Sequence, residues 1–324
     1  LTAAARLSLE DVFRARRVVS RHLSPTPLRP AFCLRPRPVW LKLECWQPTG
    51  SFKVRGATNF IASLSAEQRR AGVVAASAGN HALGVAFAAS ILGGSLEATL
   101  FVPRTAPRAK VEKLRTFPVT VREDGETYDD AHALAMAHAR ETGAVYVHAF
   151  EDPRTAAGQG TVALEILEEM PEVGTIVVPV GGGGLISGVA AAVKDRAKGT
   201  RIVAVQPEAS PSLRESIRQG HALLEYAAGP TLADGLAGGI GEIVFAHRDL
   251  IDEVVVVPEA EIEDAIVALL ADDQVVAEGS GAVGVAALRA GLVQSAADGR
   301  PVVAIVTGGN VDAAVLARLL HRRF

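Results

Sequence analysis

Residues 175–188 read TIVVPVGGGGLISG. The first six are branched or apolar without alternation, the pattern of a strand buried on both faces of a parallel sheet. The residues after the glycines read as an apolar helix. Four successive glycines, Gly181 to Gly184, make a poor linker between such a strand and helix. Their value lies in letting bare backbone N–H groups approach a ligand at a helix start, where an anion is favoured. The stretch is not a P-loop, because no Gly-Lys-Ser/Thr follows. It also departs from the dinucleotide fingerprint, since Ser187 stands where the last glycine of that motif belongs. A mononucleotide-type phosphate is favoured over a simple tight turn.

The same strand-turn-helix rhythm runs along the chain. Strand patterns fall at 39–45, 72–76, 98–102, 118–121, 144–148, 175–180, 201–206, 253–257 and 301–306. Between them lie helical patterns with start and stop signals. Ser8 with Asp11 and Ser65 with Gln68 form capping-box spacings, and Gly143 is placed to end a helix. This order predicts an α/β protein of two doubly wound, mainly parallel-sheet lobes. The expected division is a large domain over 1–66 and 150–324 and a small one over 67–149. Ligands are expected at the carboxyl ends of the strands.

Composition excludes several classes. The 33 basic and 36 acidic residues nearly cancel, so there is no electrostatic footprint for nucleic acid. Cys33 and Cys45 are the only cysteines and lie outside any ligand spacing, which argues against a disulfide framework or structural zinc and fits a cytoplasmic protein. The first twenty residues hold no apolar signal core. Residues 71–96 carry no Asp, Glu, Lys or Arg, yet SAGNHALG interrupts them, so strand, loop and helix explain them better than a membrane span.

Two more turns follow predicted strands. SAGNHALG (77–84) offers Ser77, Gly79 and Asn80 at a helix start, read equally well as an anion site or as ordinary capping with His81 a packed helix histidine. VTGGNVD (306–312) places Thr307 at a strand end, with Asn310 able to cap the last helix. Near the start, PTGSFKVRGA (48–57) holds Lys53 before an apolar run; alone, that lysine reads as a surface charge. A lysine, a phosphate cup and a late hydroxyl together suit pyridoxal 5′-phosphate, which has an aldehyde, a phosphate and a ring nitrogen.

These motifs, with AEGSGAVG (277–284), occur in an order and spacing that resemble the threonine/serine dehydratases of pyridoxal-phosphate fold type II, which share the tryptophan synthase β-like fold and are related to serine racemases. The resemblance runs from TPL (26–28) to about Asp312 and is to the short form without a regulatory domain. It implies that Lys53 is the Schiff-base lysine and the base at Cα. It implies cofactor contacts from Phe52, Lys53, Asn80, Gly181, Gly182, Gly183, Gly184, Leu185, Glu278 and Thr307. Among these the glycines hold the phosphate, Asn80 meets the ring hydroxyl and Thr307 faces the ring nitrogen. Ser77, Ala78, Gly79, Asn80 and His81 are implied to receive the carboxylate of a small amino-acid substrate. The implied reaction turns a 3-hydroxy amino acid such as L-threonine or L-serine into a 2-oxo acid and ammonia by α,β-elimination. A homodimer is the family expectation.

Some residues depart from the family pattern. Ala78 replaces the serine that serves racemases as opposite-face base. QPEASPS (206–212) has Gln206, Ser210 and Ser212 where cation ligands are expected, which makes a divalent cation doubtful; Glu208 reads as a solvated turn residue. TLADGLAGGIGE (231–242) lacks the frequent basic residue after its ADG segment, and Gly279 replaces a common proline. The alternatives are a dehydratase of 3-hydroxyaspartate or phenylserine, a β-replacement enzyme, a serine racemase and a non-catalytic cofactor-binding protein.

Overall fold

The computed structural model describes residues 6–93, 96–294 and 298–323, so the first five residues of the N-terminal stretch read above lie outside it. Among the described residues ten strands form two sheets. The strands are β1 (Leu28–Pro30), β2 (Val39–Lys42), β3 (Val73–Ala76), β4 (Ala98–Val102), β5 (Thr120–Glu123), β6 (Val145–Tyr146), β7 (Thr175–Pro179), β8 (Arg201–Pro207), β9 (Glu253–Val257) and β10 (Val302–Ile305). One sheet has the order β1-β2-β10-β7-β8-β9, and the other β5-β4-β3-β6. All pairings are parallel except β1 with β2, where Leu28 lies opposite Lys42.

All nine predicted strands are present, and β1 is an addition. It is three residues long and ends on Pro30, a residue that an edge strand tolerates because one side of its ladder needs no donor. The continuous apolar runs have the predicted cause. Ile176 and Val178 of β7 pack on one face of the large sheet with the helices Pro153–Glu169 and Gly184–Arg196. Val177 packs on the other face with Glu259–Asp273 and Gly279–Arg289. Both predicted capping boxes form, and Gly143 closes its helix in the left-handed region at φ 75°. Residues 71–93 resolve into β3, a turn and the helix Asn80–Leu92. Among the described residues no helix is long and apolar enough to cross a membrane.

The helix Lys53–Ala62 lies between the two sheets. Its Ala57, Phe60 and Ile61 join the core of the four-stranded sheet. Its other side meets the helix Pro153–Glu169, where a Cβ on Gly158 would come within 2.7 Å of the Gly56 Cα. Arg55, fully buried, holds the same helix from behind through ion pairs of 2.7 Å to Glu44 and to Glu165, and Lys42 joins them at 2.8 Å from Glu165. Buried charges are tolerated only when paired in this way.

Candidate active site

The turns after β3, β7 and β10 and the loop before Lys53 converge on one cavity of about 1140 Å³. Every residue marked above as a cofactor or substrate contact lines it. The loop PTGS lies along the turn after β10. Gly309 N–H donates to Gly50 O (2.9 Å) and Phe52 N–H to Thr307 O (3.0 Å), with a bridge between Ser51 and Gly308. Lys53 and Thr307 therefore share one edge of the cavity.

Lys53 Nζ donates to the Ala149 carbonyl at 3.2 Å and stands 5.3 Å from the Phe52 ring centre. Burial pushes its pKa down to about 8, although the Glu278 carboxylate works against the shift. Glu278 is pushed up to about 7 by its own burial and by Asp234. Asn80 Nδ2 donates to Glu278 Oε1 at 2.6 Å. Thr307 Oγ1 donates to Ser280 O at 3.2 Å, and a hydroxyl that rotates away from that carbonyl can turn to another partner.

The loop SAGNH lines the cavity from Ser77 to His81. Ser77 Oγ accepts from the Gly79 N–H (3.1 Å), and a Cβ on Gly79 would meet nothing within 4 Å, because that position faces open cavity. His81 does pack: its Nε2–H donates to Val147 O at 2.7 Å, while the buried Nδ1 has no partner. Burial, then the nearby Lys53, holds its pKa down to about 3, so the ring is neutral.

The four glycines form a cradle packed so closely by neighbouring segments that it leaves no room for side chains. A Cβ on Gly182 would sit 2.4 Å from the Phe150 ring, and one on Gly183 would sit 2.3 Å from Val244 Cβ. Gly183 also adopts φ +93°, a conformation reserved for glycine. Beyond it the helix Gly184–Arg196 begins, and its first N–H groups have no partner within the helix. An oxyanion such as phosphate suits that position.

Sequence reading missed several lining residues. Phe150 has one signal, its place just beyond the end of β6, whereas Lys110 and Lys113 on the charged helix Arg108–Arg115 have none. Asn310 is not a helix cap, since Ala314 N–H takes Asp312 Oδ1 at 2.7 Å instead. Its amide bonds to Thr49 O, Asn80 and Lys113 across the cavity.

Among the described residues no group of three or more His, Cys, Asp or Glu could hold a metal ion. Gln206 Oε1 accepts from the N–H groups of Leu213 and Arg214 at 3.0 and 3.2 Å. Ser210 Oγ accepts from Gly238 N–H at 3.1 Å, and Glu208 Oε1 from Glu259 N–H at 3.3 Å.

A lysine with lowered pKa, a cradle that excludes any Cβ, and a hydroxyl on the shared edge fit a phosphate-bearing aldehyde. Comparison with known proteins agrees. The chain is 45% identical over 322 residues to an L-threonine ammonia-lyase of Thermotoga maritima, covering 98% of this chain and 79% of that one. The structure of maize serine racemase superposes with a TM-score of 0.89 at 33% identity, covering 98% of both chains. A processed threonine deaminase isoform 2 from Solanum lycopersicum gives 0.88 at 32% identity, covering 99% of this chain and 96% of that one. The family model described as pyridoxal-phosphate dependent enzyme matches residues 19–308, a span that takes in Lys53, the glycine cradle and Thr307. The chain belongs to that family of pyridoxal-phosphate dependent enzymes.

Proposed function

We propose that the cavity converts L-threonine or L-serine to the corresponding 2-oxo acid and ammonia by α,β-elimination. The observation that carries this reading is the joint placement of Lys53 and the glycine cradle in one cavity with the SAGNH turn. Relatives named for threonine ammonia-lyase and threonine deaminase support the same substrate class.

Bound there, pyridoxal phosphate supplies an aldehyde that condenses with amines and a ring that accepts the electron pair released at Cα. Gly181 to Leu185 would hold its phosphate and Thr307 would face its ring nitrogen. A neutral hydroxyl there does not enforce a ring cation, which favours prompt elimination. Ser77 to His81 would bind the substrate carboxylate at the start of the helix Asn80–Leu92. Lys53, with a pKa near 8, has an appreciable neutral fraction at physiological pH and can take the Cα proton. The β-hydroxyl takes up one proton and leaves as water, balancing the proton that Lys53 gains from Cα, and hydrolysis of the released enamine yields the 2-oxo acid and ammonia. Ala78 offers no side-chain base on the opposite face, which speaks against racemisation as the main activity.

On the same reading residues 67–149 form the small substrate-loop domain and the remainder the cofactor domain. The protein works in the cytoplasm, consistent with two free cysteines, and as a homodimer. Purified protein is expected to show a visible band that borohydride abolishes, and Lys53→Ala to release no 2-oxo acid. Unchanged turnover in that variant would sink the assignment. Ammonia release across a panel of 3-hydroxy amino acids, with and without chelator, tests substrate and metal dependence together.

A further inference from the structure

A chain of hydrogen bonds crosses the cavity between the lobes. Lys113 Nζ donates to Asn310 Oδ1 at 2.6 Å. Asn310 Nδ2 donates to Asn80 Oδ1 at 2.6 Å and to Thr49 O at 2.9 Å. Asn80 Nδ2 then donates to Glu278 Oε1 at 2.6 Å. Chemistry fixes the polarity at Asn310, because the Lys113 ammonium only donates and the Thr49 carbonyl only accepts. Neither amide can turn over without setting oxygen against oxygen or nitrogen against nitrogen. Asn310 has both Nδ2 hydrogens engaged. Asn80 has one left for the cavity that it lines.

The contact is built closely. Gly50, at φ +76°, leaves no room for a side chain, since a Cβ there would lie 2.7 Å from Asn310 Oδ1. Lys113 and Asn80 stand on helices flanking the four-stranded sheet, whereas Asn310 follows β10 of the six-stranded one. Asn310 is thus the junction at which the loop leading to Lys53, the Asn80 amide and the small lobe meet.

We propose that Asn310, itself fixed by Lys113, is a positioning residue that holds the Asn80 amide with its nitrogen toward the cofactor. This rests on the pyridoxal-phosphate reading of the cavity. Held so, Asn80 offers the cofactor ring a donor and never an acceptor; reversed, it would present an oxygen and repel an ionised ring hydroxyl.

The experiment uses the holoenzyme and its visible band. A wild-type protein without a borohydride-sensitive band would overturn the cofactor reading itself. With that band in place, Asn80→Ala, Asn310→Ala, the double variant and Lys113→Met are compared. The readouts are band position and the dissociation constant for pyridoxal phosphate, titrated into cofactor-free protein. Asn310→Ala is expected to move the band in the same direction as Asn80→Ala and to weaken cofactor binding about tenfold. The double variant is expected to bind no more weakly than Asn80→Ala, because both substitutions remove one interaction. Lys113→Met is expected to give a smaller shift of the same sign. A wild-type band and affinity in Asn310→Ala, or effects that multiply in the double variant, overturn the proposal. Where Asn310→Ala does not fold, Lys113→Met decides: its side chain is exposed, and an unshifted band there overturns the proposal.

Discussion

Lys53 meets two opposed electrostatic demands. Burial favours its neutral form, while the Glu278 carboxylate favours the ammonium, and burial prevails to leave the pKa near 8. At pH 7.5 about a quarter of such lysines are neutral, against about one in a thousand for an unperturbed one. Condensation with an aldehyde needs the neutral amine. The rate at which cofactor-free protein takes up pyridoxal phosphate is therefore expected to rise with pH around a midpoint near 8. Glu278→Gln removes the attraction for the ammonium, so the midpoint is expected to move down. Stopped-flow absorbance across pH 6 to 10 measures both. A midpoint that does not fall in Glu278→Gln would show that the carboxylate does not hold up the Lys53 pKa. None of this was visible in PTGSFKVRGA, where Lys53 reads as a surface charge. The partners that change its character lie in Ala149 and Glu278, far along the chain.

The glycine turn after β7 shows how far an element can be read from its own residues. Its role as a close-approach loop was legible, because four glycines between a buried strand and a helix have no other economical use. What they approach was not, since Phe150 and Val244 come from distant segments. The strands were legible for a local reason, burial on both faces, and β1 escaped because three residues with a proline carry no period. A prediction follows from the cradle. Phe150 is braced by His148, with ring centres 4.7 Å apart at 87°, and has little freedom to yield to a new methyl group. Gly182→Ala is expected to lower fold stability by about 1–3 kcal/mol through overpacking. It is also expected to weaken cofactor binding sharply. Gly79→Ala, where a Cβ meets nothing, is expected to leave thermal stability nearly unchanged. Adding Phe150→Ala to Gly182→Ala reopens the space and is expected to restore part of the lost stability. Thermal melts of the four proteins decide, and equal losses in both single glycine variants would refute the packing argument.

Across the whole molecule, titratable groups buried around the cavity couple its chemistry to folding. The two lobes could be anticipated from the alternation of strands and helices, but which side chains face each other between them could not. Two such side chains oppose each other in their response to acid. His81 titrates near 3 in the folded chain and near 6.5 unfolded, so its contribution is complete above about pH 6.5 and is lost as pH falls toward 3. Glu278 titrates near 7 folded against 4.5 unfolded, so its contribution is greatest below 4.5 and is lost as pH rises through 7. Between pH 7 and 5 each is worth about 2 kcal/mol, with opposite sign. Cofactor-free Glu278→Gln is therefore expected to lose about 2 kcal/mol more than wild type on that acidification, and His81→Gln about 2 kcal/mol less. Urea denaturation at both pH values measures the differences. If Glu278→Gln instead loses less than wild type, the carboxyl does not bind its proton more tightly in the folded chain, and its burial beside Asp234 does not govern its charge.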